Sequence, residues 1–376
     1  MKDITIINQD SGYLMIDIAN SFVNEGYRTT LIAGRVVQRD NPLDEKIKLI
    51  KIKKYNRKSN LHKVQSWILG AIQIFFLILI RYRKTDLLLV SNPPFAPLLP
   101  YIIKCNYSIL IFDLYPDALV EYGILKMNSR IIKLWTYLNL KVFKRARNIY
   151  TLTKGMKSGL ERYVSPDKIE IVPLWSSDSF LKPIEKENNP FIKKHHLDGK
   201  FVILYSGNFG SAHQIDLIVK LMSKIKDPKI VLLLIGGGPA ENNIRQMISS
   251  LGITNCLMLP WQGVDVLPFS LSAADLSIVS LSDNASQVAI PSKLLSYMAV
   301  GSPILGISGK GSDLEKMILD YNIGKSFTSK QFDDILQFIE FISKNPEQCL
   351  VYKKNSIEAL KHHTIKNVDL ITKNHV

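Results

Sequence analysis

The residues best suited to bind an anion lie in the stretch Ile290-Pro-Ser-Lys-Leu-Leu-Ser-Tyr-Met-Ala-Val-Gly-Ser-Pro303. Its first proline and serine suit the start of a short helix, and its glycine and last proline suit the end. A helix N-terminus offers free N–H groups and a partial positive charge, to which Ser292 and Lys293 would add a hydroxyl and an ammonium. Taken alone, the stretch is consistent with a phosphate site or with a well-capped core helix that carries a surface lysine.

Four further loops in the same half of the chain follow predicted strands and are rich in glycine or proline. They contain Gly207 and Gly210, Gly236–Gly238, Pro260 and Trp261, and Gly309 and Gly311. Because the strands of a doubly wound sheet end along one edge, we expect these loops to meet there. Glycines let the backbone approach a ligand closely, and helix starts bind phosphate. Together the loops favour a phosphorylated ligand over a purely structural role.

Carboxylates follow a predicted strand in the first half of the chain. The strand Ser108–Phe112 leads into Asp113-Leu-Tyr-Pro-Asp117, and Glu121 lies one turn further on. A rigid loop, Ser91-Asn-Pro-Pro94, follows another strand. The carboxylates could orient or deprotonate a hydroxyl group, or they could cap helices and face solvent, and both interpretations stay open. The opening β-α-β unit has one glycine at its turn, Gly12, so no dinucleotide-binding fingerprint is present.

The elements that position these residues alternate between strand and helix along the whole chain. A β-α-β unit opens the first half, and the second half repeats the alternation at least five times, which predicts parallel sheets and an α/β fold class. A chain of 376 residues exceeds what one core usually holds, so we expect two Rossmann-like, doubly wound domains. The predicted boundaries are 1–173 for the first domain, 174–200 for a proline-containing linker and 201–354 for the second domain.

Composition narrows the class of partner. The net charge of +15 at pH 7 suggests an anionic partner, such as nucleic acid, anionic lipid or a phosphorylated substrate. The basic residues are scattered and no nucleic-acid-reading motif is found, so nucleic acid is the least favoured of the three. The three cysteines are far apart and have no metal-ligand spacing, which predicts a reducing compartment. The N-terminus enters a strand at once, which predicts no signal peptide.

The most apolar segment is Trp67–Ile80, flanked by Lys63 and by a basic cluster from Arg81 to Lys84. At about 14 residues it is shorter than the roughly 20 that a membrane-spanning helix needs. It is expected to be a helix buried against the sheet, and it could also present one apolar side to an anionic membrane surface. The basic residues 46–63 are predicted to form a solvated loop and the start of this helix.

The layout resembles the GT-B glycosyltransferases, and within them the retaining family 4 enzymes that build bacterial surface polysaccharides. The resemblance covers nearly the whole chain and is carried by six short motifs. They are Tyr205-Ser-Gly-Asn-Phe-Gly-Ser-Ala-His213, Ser270-Leu-Ser-Ala-Ala-Asp275, Ser280-Leu281, Ile290-Pro-Ser-Lys293, Ser91-Asn-Pro-Pro94 and Asp113-Leu-Tyr-Pro-Asp117. The resemblance implies two domains that face each other across a cleft, and a C-terminal helix, about 355–376, that packs back on the first domain.

The same resemblance implies which residues bind the substrates. The base of a nucleotide-sugar donor would lie near Trp261 and Gln262, the diphosphate near Lys293, and the sugar toward Gly309. The implied donor-binding residues are Gly207, Asn208, His213, Gly237, Trp261, Gln262, Ser292, Lys293, Ser296, Gly311, Ser312, Asp313 and Glu315. The implied acceptor side is Gly12, Pro93 and Glu121, and the implied catalytic residues are Asp113, Asp117 and Lys293.

One departure from the family pattern concerns two glutamates that many family 4 enzymes carry in the spacing E-x7-E. The equivalent positions here are Val288 and Ser296. The second glutamate of the pattern binds ribose hydroxyls, for which Ser296 would make a weaker contact. Val288 cannot perform the role of the first glutamate, and Glu315 is the candidate for that role.

The function implied by the resemblance is transfer of a hexosyl or N-acetylhexosaminyl group, with retained configuration, from a nucleotide sugar such as a UDP-sugar. The acceptor would be a polyprenyl-linked saccharide in O-antigen, capsule or exopolysaccharide synthesis, at the inner face of the plasma membrane. No D-x-D motif follows a strand, so no cofactor or metal is expected. Two alternatives stay open: a nucleotide-sugar epimerase of the same fold, and a non-catalytic partner in a glycan assembly complex.

Overall fold

The chain forms two compact units, each with its own parallel sheet. A computed structural model describes residues 1–39, 41–56, 58–121, 124–176, 180–283, 285–287 and 291–373. The first unit comprises Met1–Leu174 and Ile365–Val376, and the second comprises Trp175–Thr364. This division assigns most of the predicted linker, 174–200, to the second unit. The two parallel sheets confirm the predicted α/β fold class.

The first unit is built from alternating strands and helices. Its strands are β1 (Asp3–Ile7), β2 (Asp10–Ser11), β3 (Arg28–Ala33), β4 (Arg35–Val36), β5 (Lys48–Lys51), β6 (Asp86–Val90), β7 (Tyr107–Ile111), β8 (Ile149–Thr151) and β9 (Ile169–Ile171). Its first five helices are α1 (Tyr13–Asn24), α2 (Asn60–Leu77), α3 (Asp117–Glu121), α4 (Arg130–Arg145) and α5 (Lys154–Leu160). Within the described residues, the main sheet has the order β5-β3-β1-β6-β7-β8-β9. Ile7 pairs with both Ile32 and Leu89, so the neighbouring strands end at the same level.

Strand β5 corrects the prediction that residues 46–63 are only a solvated loop and a helix start. Lys48–Lys51 forms the edge of the sheet and pairs with β3 in parallel. The lysines at both ends of this strand are exposed. Charged residues are common on edge strands because they discourage further pairing. Here the lysines leave only a short apolar run, so the strand could not be predicted from the sequence.

Helix α2 is longer than the predicted segment, Trp67–Ile80. It begins after Ser59, whose side chain accepts a hydrogen bond from the N–H of His62, and it continues into a π-helical turn, Ile78–Tyr82. By length and apolar composition alone, the 22-residue stretch Leu61–Tyr82 could cross a membrane, and it is the one such stretch found within the described residues. Its buried side, which includes Trp67, packs inside the first unit.

The second unit repeats the alternation with longer strands. Its strands are β10 (Phe201–Asn208), β11 (Ile230–Gly237), β12 (Cys256–Leu259), β13 (Leu276–Ser280), β14 (Ile304–Ile307) and β15 (Gly324–Phe327). Its helices are α6 (Pro190–Lys194), α7 (Ile215–Lys224), α8 (Glu241–Ser250), α9 (Leu267–Ser272), α10 (Lys293–Ala299), α11 (Asp313–Asp320), α12 (Phe332–Lys344) and α13 (Pro346–Leu360). The sheet order, again for the described residues, is β12-β11-β10-β13-β14-β15. Strand β15 was missed by the sequence analysis because Gly324–Phe327 is short and has a central lysine.

The strand order of the second unit fixes where a ligand is expected. The chain builds β10, β11 and β12 in one direction and then returns to build β13, β14 and β15 in the other. Strands β10 and β13 are therefore neighbours at the point where the order reverses. In open α/β sheets this reversal leaves a crevice at the carboxyl ends of the strands, which is the usual ligand site.

The first unit is completed by residues that follow the second. Helix α14, Asp369–Thr372, packs on α1, where the hydroxyls of Thr372 and Ser21 lie 3.1 Å apart. The Tyr150 hydroxyl donates to the carbonyl of Ile371 at 3.4 Å, which ties the segment to the sheet. The side chain of Asn367 donates to the carbonyl of Pro173 at 3.1 Å.

Candidate functional site

The helix of the stretch 290–303 begins later than predicted and ends where predicted. Helix α10 starts at Lys293, and in the described part of the chain Ser292 makes no side-chain capping bond. The predicted end is confirmed, because Gly301 has a left-handed φ of +69°. The N–H groups of Gly301 and Ser302 donate to the carbonyls of Met298 and Tyr297, both at 2.9 Å. This Schellman-type end fixes the helix against the sheet.

The ammonium of Lys293 is buried at the reversal point of the sheet. Its Nζ has no hydrogen-bond partner among the described residues and lies 3.8 Å from the centroid of the Tyr205 ring. A Cβ added at Gly207 would lie 2.6 Å from this Nζ, so the backbone at the end of β10 approaches it closely. Burial lowers the pKa of Lys293 from 10.5 to about 7. A buried cation is costly without a partner, so this position favours an anionic ligand.

Two buried tyrosines hold the loop that surrounds Lys293. The Tyr297 hydroxyl accepts from the N–H of Ser206 at 2.8 Å, and the Tyr205 hydroxyl donates to the carbonyl of Asn208 at 2.8 Å. Burial raises the pKa of both phenols, so they remain neutral. The predicted donor residues Gly207 and Asn208 therefore lie on backbone that is fixed before any ligand binds.

His213 lies beside Lys293 and is uncharged at neutral pH. Its Nδ1 is 3.1 Å from the carbonyl oxygen of Ser280, which can only accept, so Nδ1 carries the proton. Burial, and then the positive charge of Lys293, lower the pKa of His213 from 6.5 to about 4. Near the predicted diphosphate this residue therefore supplies a neutral ring and no second positive charge.

The last residues of β10 and β11 approach each other closely at the same edge. Gly236 has φ of +143°, and a Cβ there would lie 1.9 Å from the carbonyl oxygen of Gly207, so only glycine fits. The predicted donor residue Gly237 accepts a hydrogen bond from the N–H of Phe209 at 3.0 Å. A Cβ on Gly237 would lie 3.3 Å from Nε1 of Trp261, which places the tryptophan against this loop.

The residues predicted to contact a base differ in how they are held. Trp261 is 57% exposed and is therefore available for stacking against a planar group. The side-chain amide of Gln262, a half-buried residue, donates to the carbonyl of Pro260 at 2.8 Å, which is a local contact. The edge formed by β11 and β12 thus offers one aromatic surface beside the glycine loop.

The glycine loop before α11 is closed by a capping box. Ser312 accepts a hydrogen bond from the N–H of Glu315 at 3.2 Å, and the Glu315 carboxylate accepts from the N–H of Gly311. Asp313 is the first residue of the helix. This pairing favours a capping role for Glu315 over the predicted role of a ligand-binding glutamate. Ser296 is half-buried in α10, and Val288, the other predicted position, lies outside the described residues.

The predicted carboxylates of the first unit are held by local bonds. The hydroxyl of Ser91, at the end of β6, accepts from the N–H groups of Phe112 and Asp113 at 3.0 and 3.2 Å. Asp117 begins α3 and forms an ion pair with Arg162. The ends of β6 and β7 are thereby joined, and Asp113 lies at the junction.

The remaining predicted acceptor residues lie in the same unit. Gly12 precedes α1, and Pro93 is buried after the cis peptide bond Asn92–Pro93. Glu121 ends α3, and its side chain lies outside what the structure describes. The structure thus places Pro93 and Asp113 on adjacent strand ends.

Two polar atoms at the reversal point were missed by the sequence analysis. Ser280 Oγ and Asp283 Oδ1 are buried and, in the part of the chain that the structure describes, neither has a hydrogen-bond partner. The available signal was their position, at the last residue of β13 and in the turn that follows it. Across the described residues, no group of three or more His, Cys, Asp or Glu side chains is arranged to hold a metal ion.

The second unit matches a known family of enzymes. Residues 187–359 match the model of the family described as glycosyl transferases group 1. This segment is a glycosyltransferase group 1 domain. The match contains the whole edge described above, from Gly207 to Glu315, and relatives of the chain carry glycosyltransferase names. The chain is therefore a glycosyltransferase, as predicted.

Three relatives show the range of this similarity. The probable glycosyltransferase WbjE of Pseudomonas aeruginosa is 26% identical over 71% of this chain and 69% of its own length. The putative colanic acid biosynthesis glycosyl transferase WcaI of Escherichia coli is 23% identical over 61% of this chain and 60% of its own. A chitobiosyldiphosphodolichol beta-mannosyltransferase of Debaryomyces hansenii is 24% identical over 62% and 56%. The chain thus spans less than two thirds of the last two relatives.

Solved structures extend the likeness over the whole glycosyltransferase. Sucrose-phosphate synthase from Thermosynechococcus elongatus superposes with a TM-score of 0.78 at 13% identity, over 100% of this chain and 98% of that one. Anabaena Alr3699/HepE in complex with UDP-glucose gives 0.76 at 11% identity, over 100% and 99%. At these identities the likeness concerns the fold, and it confirms the predicted GT-B fold.

Proposed function

We propose that this glycosyltransferase moves a hexosyl or N-acetylhexosaminyl group from a nucleoside-diphosphate sugar to a polyprenyl-linked saccharide in bacterial surface polysaccharide synthesis. The observation that carries the proposal is the buried ammonium of Lys293, for which the described residues provide no counter-charge. A diphosphate supplies the charge that this position lacks, and binding it removes the cost of the isolated cation. A UDP-sugar is the preferred donor, in keeping with the UDP-glucose complex of the HepE fold relative.

The donor extends along the strand ends of the second unit. The base stacks on Trp261, the diphosphate binds Lys293 with the backbone of Gly207 and Asn208, and the sugar lies toward the loop at Gly309. The strand order supports this arrangement. Trp261 follows β12, Gly207 lies in β10 and Gly309 follows β14, and these three strands lie in the same order across the sheet as base, diphosphate and sugar do in the donor. Retention of configuration follows from the motif resemblance to the retaining family 4 enzymes.

The chain's own groups stabilise the leaving diphosphate in this proposal, without a metal ion. Negative charge develops on the diphosphate as the sugar departs, and a fixed ammonium stabilises that charge most in a dry site. The backbone at the end of β10, beside Lys293, is held in place beforehand, because the Tyr205 hydroxyl bonds to Asn208 and the Tyr297 hydroxyl of α10 bonds to Ser206. Transfer that continues unchanged in excess EDTA is the expected result, and loss of transfer restored by a divalent cation would contradict it.

The first unit binds the acceptor in this scheme. Asp113, at the joined ends of β6 and β7, orients or deprotonates the acceptor hydroxyl. Asp117 serves mainly to hold Arg162, because the two form an ion pair. One relative is named for chitobiosyldiphosphodolichol, a saccharide joined to a lipid through diphosphate, which supports a lipid-linked acceptor here.

The outer face of helices α2 and α4 suits an acceptor held in a membrane. Both helices pack on Tyr115, whose ring centroid is 6.1 Å from that of Trp67 and 6.2 Å from that of Trp135. Their outward sides expose large apolar residues, which we call the apolar face. It consists of Ile68, Leu69, Ile72, Phe76, Leu79, Ile80, Ile131, Leu134 and Tyr137.

Exposed basic residues follow Ile80 in the chain and lie along α4, on the elements that carry the apolar face. They are Arg81, Arg83, Lys84, Arg130, Lys133, Lys141, Lys144 and Arg145. Apolar side chains at the level of the acyl boundary, with cations at the headgroups, are typical of proteins that lie on anionic membranes. We therefore place the enzyme in the cytoplasm, peripherally bound to the inner face of the plasma membrane.

The donor assignment is tested by calorimetric titration with UDP, GDP and dTDP and with their hexose conjugates, followed by transfer assays with polyprenyl-diphosphate-linked saccharides. One nucleotide is expected to bind in the micromolar range, and its sugar conjugate is expected to be consumed only when acceptor is present. Conversion of the donor to an epimer without acceptor would indicate the isomerase instead. A folded protein that binds none of these nucleotides would refute the proposal.

The membrane assignment is tested by sedimentation with vesicles that contain one third anionic lipid. The double variant Ile72→Glu/Phe76→Glu is expected to lower binding at least tenfold, since each buried apolar side chain contributes about 1.5–3 kcal/mol. Phe341→Glu is the matched control, because Phe341 is 49% exposed but lies in the second unit. High salt should release the wild-type protein. Equal binding to neutral and anionic vesicles would contradict the assignment.

A further inference from the structure

We infer that Asp283, assisted by Ser280, binds a hydroxyl group of the transferred sugar. The inference rests on the proposed donor site and adds a residue to it that neither the motif resemblance nor the family match assigns. It begins from a carboxylate oxygen that is buried at the reversal point of the second sheet and that no described residue satisfies.

The turn that carries Asp283 is fixed on both sides. The Ser282 N–H donates to the carbonyl of Ala212 at 2.7 Å, which ties the turn to the loop after β10. On the other side, Ser286 Oγ donates to the Asp283 carbonyl at 2.7 Å and accepts from the Gly309 N–H at 3.0 Å. A Cβ on Gly309 would lie 2.6 Å from the Asp283 carbonyl oxygen, so the two loops touch. Asp283 is therefore held between the phosphate side and the predicted sugar side.

The carboxylate of Asp283 differs from those of Glu315 and Asp117, because its Oδ1 makes no bond to a described residue. Glu315 bonds to the N–H of Gly311 in a capping box, and Asp117 in the first unit is paired with Arg162. In contrast, Asp283 Oδ1 and the Oγ of Ser280, the last residue of β13, are satisfied by no group that the structure describes. Leaving such buried atoms unsatisfied costs free energy, and the cost is removed when a ligand completes the bonds.

The chemistry of the two atoms determines what the ligand must offer. A carboxylate oxygen accepts hydrogen bonds, so the ligand group beside Asp283 must donate one, as a hydroxyl does. A phosphate dianion repels a carboxylate and has no proton to donate at neutral pH. The phosphate belongs instead to Lys293, which is connected to this turn through His213 and its bond to the Ser280 carbonyl. The ligand therefore carries phosphate and hydroxyl groups side by side.

The position along the sheet distinguishes the sugar from the ribose. Trp261, which stacks on the base, follows β12 at one edge of the sheet, and Lys293 packs against β10 near the reversal point. Asp283 follows β13 and touches the loop after β14, on the opposite side of the phosphate from the base. The hydroxyl that reaches Asp283 is thus on the sugar, and the ribose lies on the Trp261 side.

The experiment compares binding of UDP with binding of UDP-hexoses, using UDP-glucose, UDP-galactose and UDP-N-acetylglucosamine, or the GDP and dTDP counterparts if those bind the wild-type protein. In Asp283→Ala the affinity for the best nucleotide sugar is expected to fall about 10- to 100-fold, because a bond to a charged acceptor is lost. The affinity for the free nucleoside diphosphate should stay within twofold. Asp320→Ala, at an exposed position on α11, is the matched control.

Each other outcome has a defined meaning. An equal loss for the diphosphate and its sugar conjugate would place the contact at the ribose or reveal misfolding, and would overturn the inference. No loss for either ligand would overturn it as well, provided that melting curves show the variant to be folded. Ser280→Ala, which removes only one oxygen, gives a second measurement and should show a smaller loss in the same direction. If the wild-type protein binds no nucleotide at all, the proposed function fails first.

Discussion

The strand ends of the two units differ in the charge of the groups that they leave without a bond. In the second unit the atoms that no described residue satisfies include the ammonium of Lys293 and a carboxylate oxygen of Asp283. In the first unit the comparable atoms, again among described residues, include the amide oxygens of Gln9 and Asn92, which are neutral. Gln9 is fixed because its Nε2 donates to two backbone carbonyls, both at 2.8 Å. The unsatisfied atoms named at the edge of the second unit are therefore charged, and those named at the edge of the first unit are neutral.

The difference matches the two substrates that a glycosyltransferase brings together. A nucleotide sugar carries a diphosphate, whose charge requires a cation, whereas a saccharide offers hydroxyls, which suit amide oxygens. Two carboxylates of the first unit are engaged in ion pairs, Asp10 with Arg35 and Asp117 with Arg162.

The largest effect is expected from removing the ammonium of the second unit. Lys293→Met should lower turnover about 100- to 1,000-fold, the effect of losing one preorganised donor to a developing negative charge. It is measured as kcat/KM with donor and acceptor at known concentrations. Lys316→Met, at an exposed position on α11, is the control and should keep full activity. Near-normal turnover in the Lys293 variant would contradict the claim that the edge of the second unit differs from that of the first by a cation that stabilises the diphosphate.

The next effect concerns the carboxylates of the first unit. Asp113→Asn should lower kcat about 100-fold if this carboxylate deprotonates or orients the acceptor hydroxyl. Asp117→Asn should act mainly on stability, because its charge is shared with Arg162. Melting temperatures and initial rates of both variants separate the two roles. Full activity in both variants would show that neither carboxylate takes part in catalysis.

A third prediction uses the pKa of Lys293, which burial lowers to about 7. At pH 8 the free lysine is mostly neutral, and a bound diphosphate raises its pKa again, so binding UDP should take up nearly one proton. Affinity should therefore fall as pH rises above 7. Titration calorimetry in buffers of different ionisation enthalpy measures the uptake. Lys293→Met should abolish it, and Lys316→Met should not.

The lowered pKa of Lys293 also predicts the direction in which the free energy of unfolding of the ligand-free protein changes with pH. The unfolded chain keeps the lysine proton up to pH 10.5, whereas the folded chain releases it from about pH 7. Between these values the unfolded state binds more protons, so the free energy of unfolding attributable to Lys293 should rise with pH. A difference between wild type and Lys293→Met that is constant from pH 7 to 10 would contradict this sign.

The smallest effect is expected from the capping box before α11. Ser312→Ala removes the bond to the Glu315 N–H and should lower the free energy of unfolding by about 1 kcal/mol. It should also weaken nucleotide-sugar binding slightly, because the loop at Gly311 loses its anchor. Ser129→Ala removes the corresponding cap of α4 in the first unit and should cost similar stability without changing donor affinity.

Most strands and the glycine loops were predictable because their signals are local. The bounds of β12, β13 and β14 agree with the apolar runs in the sequence, and Gly301 ends α10 as its type suggests. The lysine of this stretch was identified from its place at a helix start. Its burial over Tyr205 was not, because that contact depends on how β10 and α10 pack together.

The partners of individual side chains could not be predicted, because a residue's type does not reveal which group it will contact in the fold. Glu315 looked available to a ligand, yet its carboxylate bonds to a backbone N–H four residues earlier. Asp283 looked ordinary, yet its Oδ1 is left unsatisfied by the described residues because the turn is fixed by neighbouring loops. The length of α2 was underestimated because its first turns, from Asn60, contain few apolar residues.

The segment that follows the second unit has a consequence for synthesis on the ribosome. Val368 and Ile371 are fully or almost fully buried, and Thr372 meets Ser21 on α1. A growing chain exposes α1 first, and these residues are synthesised only after all of Trp175–Thr364. The nascent first unit therefore carries an uncovered flank throughout translation of the second. Chaperones that recognise apolar surface should dwell on this flank until the ribosome has released residues 365–373.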